Sequence, residues 1–128
     1  MVLGRLSQPT VGSLPYAALA TRKSPRAENG ALKAYNWGLN DIALKPVAGS
    51  QWKSPVSGKS YSMKWRAVLR GSNAAHRGHL TLTAVNRNSE IDFGGRTVYE
   101  GLFRYSGVIA GKRVSGTTFA EMQVKGSF

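Results

Sequence analysis

Cysteine is missing from all 128 residues. That excludes a disulfide framework and a thiolate zinc site, and it leaves the redox compartment open. Acidic side chains are scarce, with 6 Asp+Glu against 18 Lys+Arg and a formal net charge of +12. Such an excess favours anionic partners, nucleic acid or a membrane surface. The cations are nevertheless scattered, with one tight cluster at Arg22, Lys23 and Arg26, whereas nucleic-acid binders usually concentrate them. Long apolar runs are lacking as well, so the sequence predicts no transmembrane segment. The opening Met-Val-Leu-Gly-Arg-Leu-Ser-Gln-Pro is interrupted by Arg5 and Pro9 and has no secretory apolar region, which sets the expectation of a cytoplasmic or otherwise intracellular chain. Helical periodicity is the last absence, since no segment longer than a turn or two repeats its apolar residues at 3.6. A chain of this length can bury a single core without staples.

What is present is β-patterning, clearest from Val98 to Met122. Two runs rich in β-branched and aromatic residues flank Ala110-Gly111, where glycine can take the positive φ of a two-residue hairpin turn. With that turn, Ile109 faces Lys112, Tyr105 faces Gly116, Phe103 faces Thr118 and Glu100 faces Glu121. Alternation then gives one apolar face of Tyr99, Phe103, Tyr105, Ile109, Val114, Ala120 and Met122, interleaved with Gly101, Gly107, Gly116 and Thr118. Aromatic opposite glycine bends a sheet without leaving holes. The other face carries Glu100, Leu102, Arg104, Arg113, Ser115, Thr117, Phe119, Glu121 and Gln123, polar except for Leu102 and Phe119.

Upstream, residues 1–13 have no usable period and are expected to be a flexible segment, with one domain over 14–128. Leu14 to Thr21 reads as a short strand or a single helical turn, with strand favoured, and Ala31 to Trp37 and Leu39 to Lys45 read as strands, separated by an exposed turn or loop at Arg22 to Gly30 and a break at Gly38. Trp52 to Lys59 is a corner, because Pro55 bars a ladder hydrogen bond and Ser57-Gly58 adds a second bend. Tyr61 to Arg70 alternates Tyr61, Met63, Trp65, Ala67 and Leu69 with Ser62, Lys64, Arg66, Val68 and Arg70, specifying one buried and one wet face. His79 to Val85 and Ser89 to Phe93 follow before the hairpin. Short, evenly spaced strands with turn signals between them predict an all-β protein, an antiparallel barrel of about seven or eight strands. Closure leaves no long edge exposed.

An ordered set of segments resembles a known family. Trp52-Lys-Ser-Pro-Val-Ser-Gly-Lys-Ser-Tyr61 with Trp65, then Ser89-Glu90-Ile91, then Val98-Tyr99-Glu100-Gly101, Gly107, Gly111-Lys112, Val114-Ser115-Gly116 and Ala120-Glu121 are similar to the C-terminal lipocalin-like half of the carotenoid 1,2-hydratase and AttH-like family. That family includes kievitone hydratase-like enzymes and fungal pericyclases of the Diels-Alderase type. The likeness covers roughly Asp41 to Val124. It implies a calycin-type barrel, usually one of two in tandem, that holds an apolar polyene, polyketide or terpenoid-like ligand for hydration or cyclisation. A chain the size of one barrel is then a stand-alone half, a truncated product, or a barrel that pairs with a second barrel domain or another copy. An isolated half is expected to turn over little by itself.

Four of the six carboxylates, Glu90, Asp92, Glu100 and Glu121, fall in the last 40 residues. Glu100 and Glu121 meet in the hairpin register, and two carboxylates that close disfavour joint ionisation, so one can serve as a general acid. Glu100, Glu121 and Arg104 are therefore the catalytic candidates; a structural network neutralised by Arg104 is the competing account. Trp65, Tyr99, Phe103, Tyr105 and Met122 are the ligand-binding candidates, or else they fill a small barrel. His76 and His79 lack a third ligand and flank Arg77, so no metal is expected. Gly58-Lys59-Ser60 resembles the end of a phosphate loop, but Lys53 stands where the first glycine belongs, and no cofactor is called for. The alternative function is nucleic-acid binding through the wet face, where Lys64, Arg66 and Arg70 project together. Single-strand binders set stacking aromatics among such cations, whereas here Tyr61, Met63 and Trp65 lie on the opposite face.

Overall fold

The computed structural model describes residues 2–5, 16–22, 32–37 and 39–123, with side chains at Trp37 and from Asn40 onward. They form eleven strands: β1 (Val2–Arg5), β2 (Tyr16–Arg22), β3 (Leu32–Trp37), β4 (Ile42–Pro46), β5 (Gln51–Lys53), β6 (Ser60–Ser62), β7 (Lys64–Arg70), β8 (Arg77–Ala84), β9 (Glu90–Asp92), β10 (Thr97–Ile109) and β11 (Lys112–Gln123). The only described helices are 3₁₀ turns at Leu39–Asp41 and Ala74–His76. All pairings are antiparallel: β1-β2-β3, β5-β6, and a six-stranded sheet ordered β11-β10-β8-β7-β4 with β9 also on β10. The all-β class is as expected. The strand count is higher because three-residue pieces form around the corner and because Val2–Arg5 pairs with β2. The cluster at Arg22, Lys23 and Arg26 lies outside the described side chains. Among the described residues, no helix is long and apolar enough to cross a membrane.

The hairpin has the expected register throughout, from Ile109 opposite Lys112 to Glu100 opposite Glu121. Its turn residues Ala110 and Gly111 sit at φ 53° and 74°, the double positive φ whose twist matches the flanking strands. Tyr99, Phe103, Tyr105, Ile109, Ala120 and Met122 are buried together, whereas Leu102 and Phe119 on the reverse face are 51% and 43% exposed. A Cβ on Gly116 would stand 2.6 Å from the Tyr105 hydroxyl, so the ring lies over the glycine as the pairing of aromatic with glycine requires.

One expected strand is two. Tyr61 to Arg70 divides at Met63, with β6 pairing back to β5 and β7 joining the large sheet. The reason lies in where Met63's backbone bonds go. Its N–H donates to the Ser50 carbonyl at 2.9 Å and its carbonyl accepts from Ala84 N–H at 2.8 Å, so the two halves belong to different neighbours. Ser62, expected on the wet face, is buried, and its carbonyl accepts the Trp65 indole N–H at 2.9 Å. Beyond the break the alternation is clean: Trp65, Ala67 and Leu69 are buried, while Lys64, Arg66, Val68 and Arg70 are exposed.

Candidate functional site

The corner between β5 and β6 is built from its own short-range chemistry. Trp52 pairs with Tyr61 and Lys53 with Ser60, which leaves six residues to reverse the chain. Ser54 organises them. Its hydroxyl oxygen accepts the N–H groups of Val56 and Ser57, each at 3.2 Å, and its carbonyl accepts Gly58 N–H at 3.0 Å. Gly58 takes φ 71°, a left-handed conformation that suits glycine. Ser54 is buried although it is polar, and such a group needs a partner for its proton.

That partner is Glu90, delivered from β9. Glu90 Oε1 accepts from Ser54 Oγ at 2.7 Å, and Oε2 accepts from Ser57 Oγ at 2.6 Å and from the Tyr61 hydroxyl at 2.7 Å. Lys59 Nζ donates to Thr97 Oγ1 next to the group. Burial by itself would raise the Glu90 pKa, but the hydrogen bonds from Ser57, Tyr61 and Ser54 and the positive charge of Lys59 outweigh it and hold the carboxyl below its ordinary value. Burial, reinforced by the bond to Glu90, pushes Tyr61 up to about 12. Tyr61 is therefore a hydroxyl donor and Glu90 a carboxylate at neutral pH. A carboxylate offers about four acceptor sites, of which three are taken here. The arrangement fits a fixed anion that can accept one more hydrogen bond; a carboxylate so heavily donated to is a weak base.

Rings lead away from this group into the core. Trp52 stacks on Tyr61 with centroids 6.2 Å apart, Tyr61 lies 5.5 Å from Tyr99, and Tyr99 meets Phe103 edge-on at 6.2 Å. Tyr99 donates its hydroxyl to the Asn86 carbonyl. Trp65, Tyr99, Phe103, Tyr105 and Met122, the ligand-binding candidates, are all buried in this one cluster. Burial raises the pKa of both Tyr99 and Tyr105.

The catalytic candidates stand elsewhere. Glu100 and Glu121 are cross-strand partners, half-buried, with Gln123 Nε2 donating to Glu121 Oε1 at 2.9 Å. Arg104 lies two rows further along beside Thr117, exposed. All three project from the hairpin face opposite the aromatic set, so the register brings the two carboxylates together but separates them from the ring cluster. His76 belongs to the 3₁₀ turn and His79 to β8, and no group of three potential metal ligands occurs among the described residues.

The Glu90 group was not among the residues singled out for chemistry, although its signal was present. Trp52, Ser54, Ser57, Gly58, Tyr61 and Glu90 are residues of the very segments that carry the family resemblance. They look like turn punctuation in one dimension, because the contact from Ser54 to Glu90 spans 36 positions.

The fold class these features define is an antiparallel β architecture with a corner clasped onto its sheet. The chain matches no protein-family model and no curated protein. Among solved structures it is similar to kievitone hydratase from Nectria haematococca, with a TM-score of 0.59 and 20% identity. The likeness takes in 88% of this chain and 36% of that one, so the chain spans about a third of the hydratase's length. At that identity the likeness is one of fold.

Proposed function

We propose that this chain is a lipocalin-like barrel, of the calycin kind found in hydratases and Diels-Alderase-like cyclases, that holds an apolar small molecule such as a polyene, polyketide or terpenoid. The observation that carries the reading is the continuous line of rings Trp52, Tyr61, Tyr99 and Phe103, joined at Tyr61 to the Glu90 carboxylate by a hydrogen bond. An apolar wall with a few convergent polar groups is the usual composition of a small-molecule site. The fold likeness to a hydratase supports the same class. In this reading Trp65, Tyr99, Phe103, Tyr105 and Met122 shape the ligand, while the open acceptor site of Glu90 orients a ligand hydroxyl or a water. Glu100, Glu121 and Arg104 lie behind the sheet, and the end of that face carrying Glu100, Glu121, Leu102 and Phe119 is suited to meeting a second barrel domain or another copy. A proton donor brought by such a partner would complete a hydratase or cyclase, and the 128 residues alone are expected to bind with little turnover.

The test is binding of a conjugated polyene, read by quenching of tryptophan fluorescence in the wild type, Trp65→Phe, Tyr105→Ala and Glu100→Gln. We expect saturable quenching in the wild type, weakened about tenfold in Tyr105→Ala by loss of a buried ring and unchanged in Glu100→Gln. Should the aromatic set simply fill the core, no polyene will quench and Tyr105→Ala will affect stability alone.

A further inference from the structure

The outward face of the six-stranded sheet can be read row by row from its ladder. Lys64, Thr83, Arg104 and Thr117 form one row; Lys45, Arg66, Thr81, Ser106 and Ser115 form the next. Val68, His79, Val108 and Arg113 follow, and then Arg70 with Arg77. The cations of these rows are all exposed, and no carboxylate occurs among them. The nearest on this face are Glu100 and Glu121, beyond the Leu102 and Phe119 row, and Asp41 ends the 3₁₀ turn that precedes β4.

Two ladder positions oppose like charges, Lys45 against Arg66 and Arg70 against Arg77. Like charges directly opposite each other destabilise a sheet, an effect that a bound anion would relieve, although Arg77 also donates to the Gly71 and Ser72 carbonyls at 2.8 and 3.3 Å. Between the cations lies an open depression of about 540 Å³, lined by Thr81, Thr83, Ser106, Ser115, Thr117 and Arg104 together with Tyr105 and Gly116. Hydroxyls and guanidinium groups are donors of the kind that contact phosphate and sugar oxygens. Phe, Tyr and Trp are absent from these rows, where the imidazole of His79 is the one ring, so the contacts on offer are those to phosphate and sugar, which carry no base sequence.

We propose that this face binds the phosphate backbone of nucleic acid without regard to base sequence. Same-side residues along a strand are roughly 6.8 Å apart and neighbouring strands about 4.8 Å apart, so the cations make a continuous field across the sheet. The face is on the other side of the sheet from the aromatic cluster. The two readings therefore fail separately.

Anisotropy of a fluorescein-labelled 20-nucleotide oligothymidylate and of a 20-base-pair duplex, each titrated with the protein over a series of salt concentrations, tests the proposal. Lys64→Gln/Arg66→Gln/Arg104→Gln is compared with Lys53→Gln/Arg87→Gln/Lys112→Gln, which removes the same charge from outside these rows, with circular dichroism checking that both variants fold. We expect the sheet-face variant to lose at least about tenfold in affinity and its slope of log K against log salt on the single strand to become shallower by about 2, from roughly 0.7 per lost phosphate contact. The control is expected to stay within about threefold of wild type. Equal losses in the two variants would reduce the effect to net charge and overturn the proposal. So would absence of oligonucleotide binding at low salt, or binding to phosphatidylserine vesicles without binding to either oligonucleotide.

Discussion

The corner at Ser54–Tyr61 and the hairpin of β10 and β11 are held in opposite ways. The hairpin is local and repetitive: its ladder runs unbroken from Val98 opposite Gln123 to Ile109 opposite Lys112, and its buried face is apolar. Each contact there is replaceable by a neighbour of similar kind. The corner has almost no ladder, only the three pairs of β5 and β6, and depends on one carboxylate that collects three hydroxyl protons. Removing a single partner there strands buried polar groups, and an unmade buried hydrogen bond costs more than a made one gains. Distributed packing tolerates change; a converging polar network does not.

The comparison breaks most sharply where the hairpin's tolerance ends. A Cβ at Gly107 would stand 2.0 Å from the His79 carbonyl oxygen across the β8 ladder, backbone that cannot swing aside. Gly107→Ala is expected to cost about 3 kcal/mol or more, measured by urea denaturation, and an unchanged midpoint would show that the strands can part there without loss. Next is Glu90→Gln, which keeps the shape but replaces one acceptor oxygen by a donor facing other donors. We expect a loss of about 2–3 kcal/mol and, in the wild type, acid sensitivity with a definite sign. Because the folded carboxyl has the lower pKa, its stabilisation is present above the ordinary value of 4.5 and is lost as pH falls through the lowered folded value. The variant should not show that acid limb.

Tyr61→Phe sharpens the contrast from the alkaline side. The hydroxyl keeps its proton longer folded than unfolded, so its contribution is whole below pH 10 and declines as pH rises from 10 to about 12. The variant is expected to lose about 1–2 kcal/mol near neutrality and, in thermal melts across that window, to decline less than the wild type. The smallest effect is a gain. Ala110 holds a positive φ of 53°, where a Cβ is penalised and asparagine is better tolerated. Ala110→Asn should stabilise by about 0.5 kcal/mol, read as a small rise in melting temperature; a fall would mean that the turn geometry is set by something other than those two residues.

The hairpin was legible in the sequence because its information is local. Alternation sets the faces, and the Ala110-Gly111 turn sets the register, so Tyr99, Phe103, Tyr105 and Met122 follow as one buried face from counting by two. Trp65 was legible in the same way within β7. The division at Met63 was not, because an alternating pattern continues through it unchanged and only the hydrogen bonds to Ser50 and Ala84 reveal that its two sides serve different sheets. The relation of the carboxylates to the rings was half legible. Register set Glu100 against Glu121, and alternation placed both on the face opposite Tyr99.

The sequence by itself thus determined the all-β class, the hairpin, its register and the sorting of side chains into a wet and a dry face, since each depends on residues within a turn or a strand of one another. The tertiary structure alone decided that Ser54, Ser57 and Tyr61 meet Glu90, and that cations from β4, β7, β8, β10 and β11 share one surface. Those are meetings between segments far apart in the chain. Which segments meet depends on how whole strands are ordered in the sheet, and no local spacing encodes that order.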